Sequence, residues 1–211
     1  LEAGRTVYLS TSKVGRFRRH IRGKDVLEWV IGAGMMKQTP ADLENPAEQY
    51  ATQPLASGVG GGRTISLQSI AAKGANLIGR VEDFENTTAI IKDDLRENID
   101  FADGFSAHVI EMLNPAIDKM APGTPPLEDE PADDPAPTDL GANTPTRLDL
   151  DEAGITSIIW TTGFTGDYSW LNIEGHSMEH GRPVQTNGAS PAKGVYYLGS
   201  PWLRTRASGI I

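Results

Sequence analysis

From Leu95 to Ile117, apolar residues return every three or four positions: Leu95, Ile99, Ala102, Phe105, Val109, Leu113 and Ile117. At about 3.6 residues per turn this spacing lays all seven along one stripe, which predicts a single long amphipathic helix over 94–120. Such a stripe must be covered by other elements, so the chain has to build a layer to receive it. Pro115 falls inside the pattern and, having no N–H, is expected to kink the helix or end it early.

The rest of the chain supplies short strands and shorter helices. Thr6 to Ser10 reads as a strand, and "ANLIGRV" and "TTAIIK" as two more joined through Glu85 and Asn86. Asp25 to Ala33 reads as a helix with Val26, Trp29 and Val30 on one face, Pro40 to Tyr50 as a short helical stretch, and Ile65 to Lys73 as a helix stopped at Gly74. This mixture places the chain in the α/β class. Between Thr124 and Asp151 the composition changes, with six prolines (Pro125, Pro126, Pro131, Pro135, Pro137 and Pro145) among Glu128, Asp129, Glu130, Asp133, Asp134 and Asp139. So little apolar surface cannot offset chain entropy, which predicts an exposed insertion over about 122–150, disordered in the limit.

Two further apolar runs, Ile155 to Thr161 and Lys193 to Gly199, read as buried strands that each meet a glycine. In an open parallel sheet, ligands sit beyond the carboxyl ends of the strands, where a glycine lets backbone approach a phosphate or a ring. A glycine after a strand is as often only a turn. The loop after the first strand, "TSKVGRFRRHIRGK", gathers Lys13, Arg16, Arg18, Arg19, Arg22 and Lys24 with no acid among them. An anion is the obvious partner, and a solvated face or interaction arm is the alternative.

Bulk properties remove other classes. The 211 residues carry a net charge of −9, which argues against general affinity for nucleic acid, because neutralising phosphates requires surplus Lys and Arg. No apolar run approaches the roughly 18 to 20 residues of a membrane span. The absence of cysteine excludes disulfides, cysteine–zinc sites and dithiol redox chemistry in this chain; it fits a reducing compartment, so a cytoplasmic location is expected. Any redox chemistry must then use a bound cofactor.

Several apparent motifs fail on context. "GVGGGR", Gly58 to Arg63, has Arg at its sixth position and no strand before it, so it reads as a flexible loop and not as a dinucleotide fingerprint. His176 and His180 have metal-ligand spacing, yet the glycines around them disfavour a helix and no third ligand stands out. No serine occupies a nucleophile elbow and no pair of acids shares an apolar setting, so no catalytic side chain and no metal ligand is assigned.

"VYLSTSKVGRFRRHIRGKDVLEW", "IIWTTGFTGDYSWL" and "GVYYLGSPWLRTRASG" resemble bacterial flavin-containing monooxygenase-like oxidoreductases, of a branch described as flavoproteins linked to cation transport. The resemblance implies a three-layer α/β fold in which two Rossmann-like, dinucleotide-binding domains interleave. Residues 1–163 would be part of the NADPH-binding domain and 164–211 the return to the FAD-binding domain, crossing at Thr161-Thr162-Gly163. By the same resemblance, Ser12, Lys13 and Arg16 are candidates for the adenosine 2′-phosphate of NADPH. Thr162 and Gly163 would lie at the crossing, Gly199 would lie close to the pyrophosphate or ribityl chain of FAD, and Trp202 and Arg204 would line that region.

A phosphate gains charge-assisted hydrogen bonds from Lys or Arg, whereas an NAD site would place an acid here, and none occurs between Arg5 and Lys24. The family's glycine fingerprints have no counterpart in the chain. The opening "LEAG", read as the end of a helix, and the bare closing Ile210 and Ile211 add to the expectation of a fragment, inactive alone. The implied activity of the complete enzyme is hydride transfer from NADPH to FAD, reaction of reduced flavin with oxygen, and oxygen insertion into a small-molecule substrate. A reductase or dehydrogenase without oxygen insertion, a non-enzymatic interaction module, and homo-oligomerisation all stay open.

Overall fold

The structure is a computed structural model that describes residues 1–163 and 166–209. Phe164 and Thr165, which follow Gly163 in "IIWTTGFTGDYSWL", and the closing Ile210 and Ile211 lie outside the described residues. The chain divides into two compact units, the first of Leu1–Ala33 with Thr52–Ser157, the second of Gly34–Ala51 with Ile158–Ile211.

In the first unit, strand β1 is Tyr8–Ser10, followed by a hairpin of β2, His20–Ile21, and β3, Lys24–Asp25. Arg22 and Gly23 between them both have positive φ, 52° and 82°, the pattern of a two-residue type I′ turn. Helix α1, Val26–Gly32, starts where the Asp25 carboxylate accepts the Leu27 N–H at 2.8 Å, and it buries Val26, Trp29 and Val30. Helix α2, Leu67–Ala71, opens on a reciprocal Ser66–Ser69 capping box. Strand β4, Asn76–Ile78, then runs parallel to β1 with Tyr8 opposite Asn76, Leu9 opposite Leu77 and Ser10 opposite Ile78.

Strands β5, Val81–Glu85, and β6, Thr88–Ile91, form a hairpin, followed by helix α3, Leu95–Met120, and strand β7, Arg147–Asp149. The antiparallel order is β5-β6-β7. Thus "ANLIGRV" breaks at Gly79: its first half joins the parallel pair and its end the antiparallel sheet.

Helix α3 buries Leu95, Asn98, Ile99, Ala102, Ser106, Val109, Leu113 and Ile117. Leu95 and Ile99 pack with Ala75, Leu77 and Ala136, while Ile78, Ala89 and Ile91 form a second cluster with Tyr8 and Phe84 against it. Each fully buried Leu or Ile of the stripe contributes about 1.5–3 kcal/mol. Pro115 neither ends nor shortens the helix. It is exposed, as is Glu111, whose carbonyl loses the Pro115 N–H, so water can serve the freed group.

The Pro- and acid-rich segment departs from the expected disordered insertion. Its Asp133 pairs with Arg16, Ala136 enters the core, and its end forms β7 beside β6. Composition gives a segment too polar to bury itself. It is held instead by carboxylates that find arginines elsewhere.

In the second unit, a 3-10 turn, Met35–Lys37, precedes two more, Pro40–Asp42 and Pro46–Tyr50, which replace the helical stretch expected over Pro40 to Tyr50, each proline starting a new turn. Strands β8, Met178–Glu179, and β9, Arg182–Pro183, flank His180 and Gly181, both at positive φ. Asn187-Gly188 makes a second turn of the same kind between the bridged Thr186 and Ala189. Arg182 donates to the Gln49 carbonyl at 2.9 Å and lies 5.1 Å from the Tyr50 ring centroid. Trp202 is 2% exposed, with Arg206 4.7 Å from its ring.

The two buried strands expected at 155–161 and 193–199 do not form. Ile159 is 84% exposed and Leu198 97%, and the second run makes only an isolated bridge, Ala189 to Tyr196. A short apolar run becomes a buried strand only when a ladder and a covering layer receive it. The architecture is a mixed α/β fold with small parallel and antiparallel sheets. No helix among the described residues is long and apolar enough to cross a membrane.

Candidate functional site

The carboxyl end of the parallel pair is fastened by polar groups. The Ser10 hydroxyl donates to the Gly79 carbonyl at 3.0 Å and accepts the Val81 N–H at 3.1 Å. Asn98, buried on α3, donates to the Thr11 carbonyl at 3.2 Å and to Asp94 at 3.1 Å, and Asp94 accepts the Arg80 N–H at 3.0 Å. A Cβ on Gly79 would collide with the Lys92 carbonyl, so only glycine lets these backbones meet. The ends of β1 and β4 and the start of α3 are therefore locked, and the chain leaves β1 at a fixed point.

Ser12 and Lys13 are the next residues out, and both are exposed. Lys13 Nζ lies 3.2 Å from Glu97, a pair more than half exposed on both sides. An exposed pair of this kind contributes about 0–1 kcal/mol, so it holds the ammonium weakly.

Arg16 is placed differently. It is 2% exposed, donates to Asp103 at 3.0 and 2.8 Å, and pairs with Asp133. Its charge is already balanced by two carboxylates. Phe17 stacks edge-on against Phe105 at 5.8 Å beside it. Glu128 is held below its ordinary range: burial acts to raise it, and hydrogen bonds from its own backbone and from Gly23 and Arg22, with the Arg18 charge, outweigh burial.

The remaining sequence candidates belong to the second unit. Thr162, Gly163, Gly199 and Arg204 are exposed, Gly163 and Gly199 at φ 83° and 78°, and Trp202 is buried under Arg206. Among the described residues no strand runs into Gly163 or Gly199. His176 Nδ1 is 2.9 Å from the Tyr197 hydroxyl, and His180 packs against Tyr50 at 4.9 Å. Among the described residues no group of three or more His, Asp or Glu is placed to hold a metal ion.

Sequence reasoning passed over Asp94, Asn98 and Asp103. Asn98 left a signal: it falls on the apolar stripe three residues after Leu95, where a polar side chain must have a partner.

Over 63 residues the chain is 38% identical to a protein named uncharacterized oxidoreductase CzcO-like, from Geobacillus kaustophilus (strain HTA426), covering 30% of this chain and 18% of that protein. Over 57 residues it is 39% identical to uncharacterized oxidoreductase CzcO of Bacillus subtilis (strain 168), covering 27% and 16%. This chain is a distant relative of CzcO-like oxidoreductases. It spans less than a fifth of the length of these curated relatives. A third match, to the protein named uncharacterized oxidoreductase CzcO of Bacillus velezensis (strain DSM 23117 / BGSC 10A6 / LMG 26770 / FZB42), is 37% identical over 57 residues, 27% of this chain and 16% of that one. No family model matches the chain, and no solved structure matches it.

Proposed function

We propose that this chain carries part of the nucleotide-binding machinery of an NADPH-dependent flavin oxidoreductase, of the monooxygenase type that its sequence resembles. The observation that carries the reading is the position of Ser12 and Lys13, exposed and directly beyond the carboxyl end of a parallel strand, in a relative of proteins named oxidoreductases. Ligands of open α/β sheets sit at such strand ends. The Ser12 hydroxyl and Lys13 ammonium suit the 2′-phosphate of NADPH, and Lys13 leaves Glu97 at little cost. Arg16, neutralised by Asp103 and Asp133, is not offered to that phosphate.

NADPH would supply a hydride and FAD the redox chemistry toward oxygen. This chain's residues orient and select: β1, locked through Ser10, Thr11 and Asn98, presents Ser12 and Lys13 from a rigid base. The proposed division follows the resemblance, with 1–163 serving NADPH and 164–211 serving FAD in a two-dinucleotide fold. Thr162, Gly163, Gly199, Trp202 and Arg204 are assigned to the FAD side by the resemblance alone.

The test is the visible spectrum of the full-length protein that contains this chain, purified with FAD supplied and recorded before and after anaerobic NADPH. Flavin absorbance bleached by NADPH supports the reading, and a colourless protein indifferent to NADPH overturns it. Oxygen consumption in step with product then separates a monooxygenase from a reductase.

A further inference from the structure

The basic loop holds an anion site that the chain itself fills. Around the Asp133 carboxylate stand the Arg16 guanidinium, the Ser106 hydroxyl at 3.0 Å and Arg18 Nη1 at 3.6 Å. Around the Glu128 carboxylate stand two successive backbone N–H groups, Arg22 at 2.8 Å and Gly23, with Arg18 Nη2 at 3.9 Å. Successive amides beside a guanidinium, as around Glu128, are donors of the kind that hold phosphate, and Arg18 joins them to the guanidinium and hydroxyl around Asp133.

Both arginines are desolvated, Arg16 at 2% and Arg18 at 6% exposure, so neither can stay without a counter-charge. Glu128 and Asp133 belong to the Pro- and acid-rich segment, whose residues 127–135 form a strap; Arg16 keeps Asp103 whatever the strap does, because Asp103 sits on α3. The carboxylates beside Arg18 among the described residues, Glu128 and Asp133, both come from the strap.

The strap is otherwise lightly held. Between Leu127 and Pro135 it buries no side chain fully, and its other ties to the unit there are Arg18 Nη2 on the Glu128 carbonyl and the Gln68 amide on the Asp134 carbonyl at 2.8 Å. Removing it would leave Arg18 buried, with its Nε on the His20 carbonyl at 3.1 Å but without a counter-charge.

We propose that Arg16, Arg18, Ser106 and the amides of Arg22 and Gly23 form a phosphoryl-binding site that Glu128 and Asp133 hold closed as internal anions, and that a phosphate dianion displaces the strap. One dianion replaces two carboxylates, so the local charge is conserved while the strap is released. The site is separate from Ser12 and Lys13, so it stands or falls without the NADPH reading.

Inorganic phosphate titrated calorimetrically at constant ionic strength tests this on the wild-type chain and on the double variant Glu128→Gln, Asp133→Asn. With both internal anions neutralised, phosphate binding tightens by about tenfold or more, the size of one charge-assisted contact, and adding Arg18→Gln abolishes the gain. Unchanged phosphate affinity, or a gain that survives Arg18→Gln, overturns the proposal.

A second measurement needs no variant: amide exchange of Asp133 and Asp134, whose N–H groups bond the carbonyls of Glu130 and Pro131. Phosphate accelerates their exchange while chloride at equal ionic strength does not. Equal effects of the two salts, or none from either, mean the carboxylates only fasten the strap.

Discussion

Replacing Arg16 with alanine separates a buried, paired arginine from a freely solvated one. In the structure the guanidinium is almost fully buried and serves Asp103 and Asp133 together. Removing one partner of a buried pair costs about 3–5 kcal/mol, because the carboxylates left behind stay desolvated. Asp103 would keep the Gln68 amide at 3.2 Å and the Ala136 N–H at 3.4 Å, and Asp133 would keep Ser106 and Arg18. Those remaining donors place the expected loss near the lower end, about 3 kcal/mol.

Urea unfolding followed by far-ultraviolet circular dichroism, which reports mainly on α3, measures it. Lys13→Ala is the companion, since its exposed pair with Glu97 predicts a change within about 1 kcal/mol. If Arg16→Ala costs no more than Lys13→Ala, the guanidinium is not the buried brace described here. It would then be one more exposed cation of the basic loop.

Other consequences are testable in the same assay. Ile159→Ala should change stability by less than about 0.5 kcal/mol because the side chain is exposed, whereas a buried strand would lose about 2–5 kcal/mol. Gly79→Ala should destabilise by about 1–3 kcal/mol or more, since the new methyl meets the Lys92 backbone, which cannot swing aside. Glu128 is held below its ordinary range when folded, so its contribution is fully present above the unfolded value and is lost as pH falls through the folded one. Acidification should therefore raise exchange at the strap amides, and Glu128→Gln should remove that dependence.

The elements legible in the sequence are those whose partners are fixed by local spacing. The α3 stripe declares itself because one period recurs over six turns, and α1 because Asp25 caps a short apolar face. The exposed runs at 155–161 and 193–199 carry the same apolar composition as a buried strand, and nothing local reveals that no ladder receives them. The turn at Asn187-Gly188 bears the strongest short hairpin signal, while Arg22-Gly23 and His180-Gly181 reach the same backbone with less typical residues.

At the candidate site, Ser12 and Lys13 lie where the sequence suggests, just after a strand. Arg16 looked identical to its neighbours because its partners, Asp103 and Asp133, are 87 and 117 residues away. The strap was legible as polar and acidic, and its anchoring was hidden for the same reason.

The most direct test of the central claim is the affinity of the protein for NADPH and for NADH, wild type against Lys13→Ala. The account predicts that wild type prefers NADPH by about tenfold or more, as one charge-assisted phosphate contact implies, and that Lys13→Ala removes the preference without weakening NADH. Equal affinities in the wild type, or a preference that Lys13→Ala leaves intact, would contradict the assignment of this loop to the 2′-phosphate.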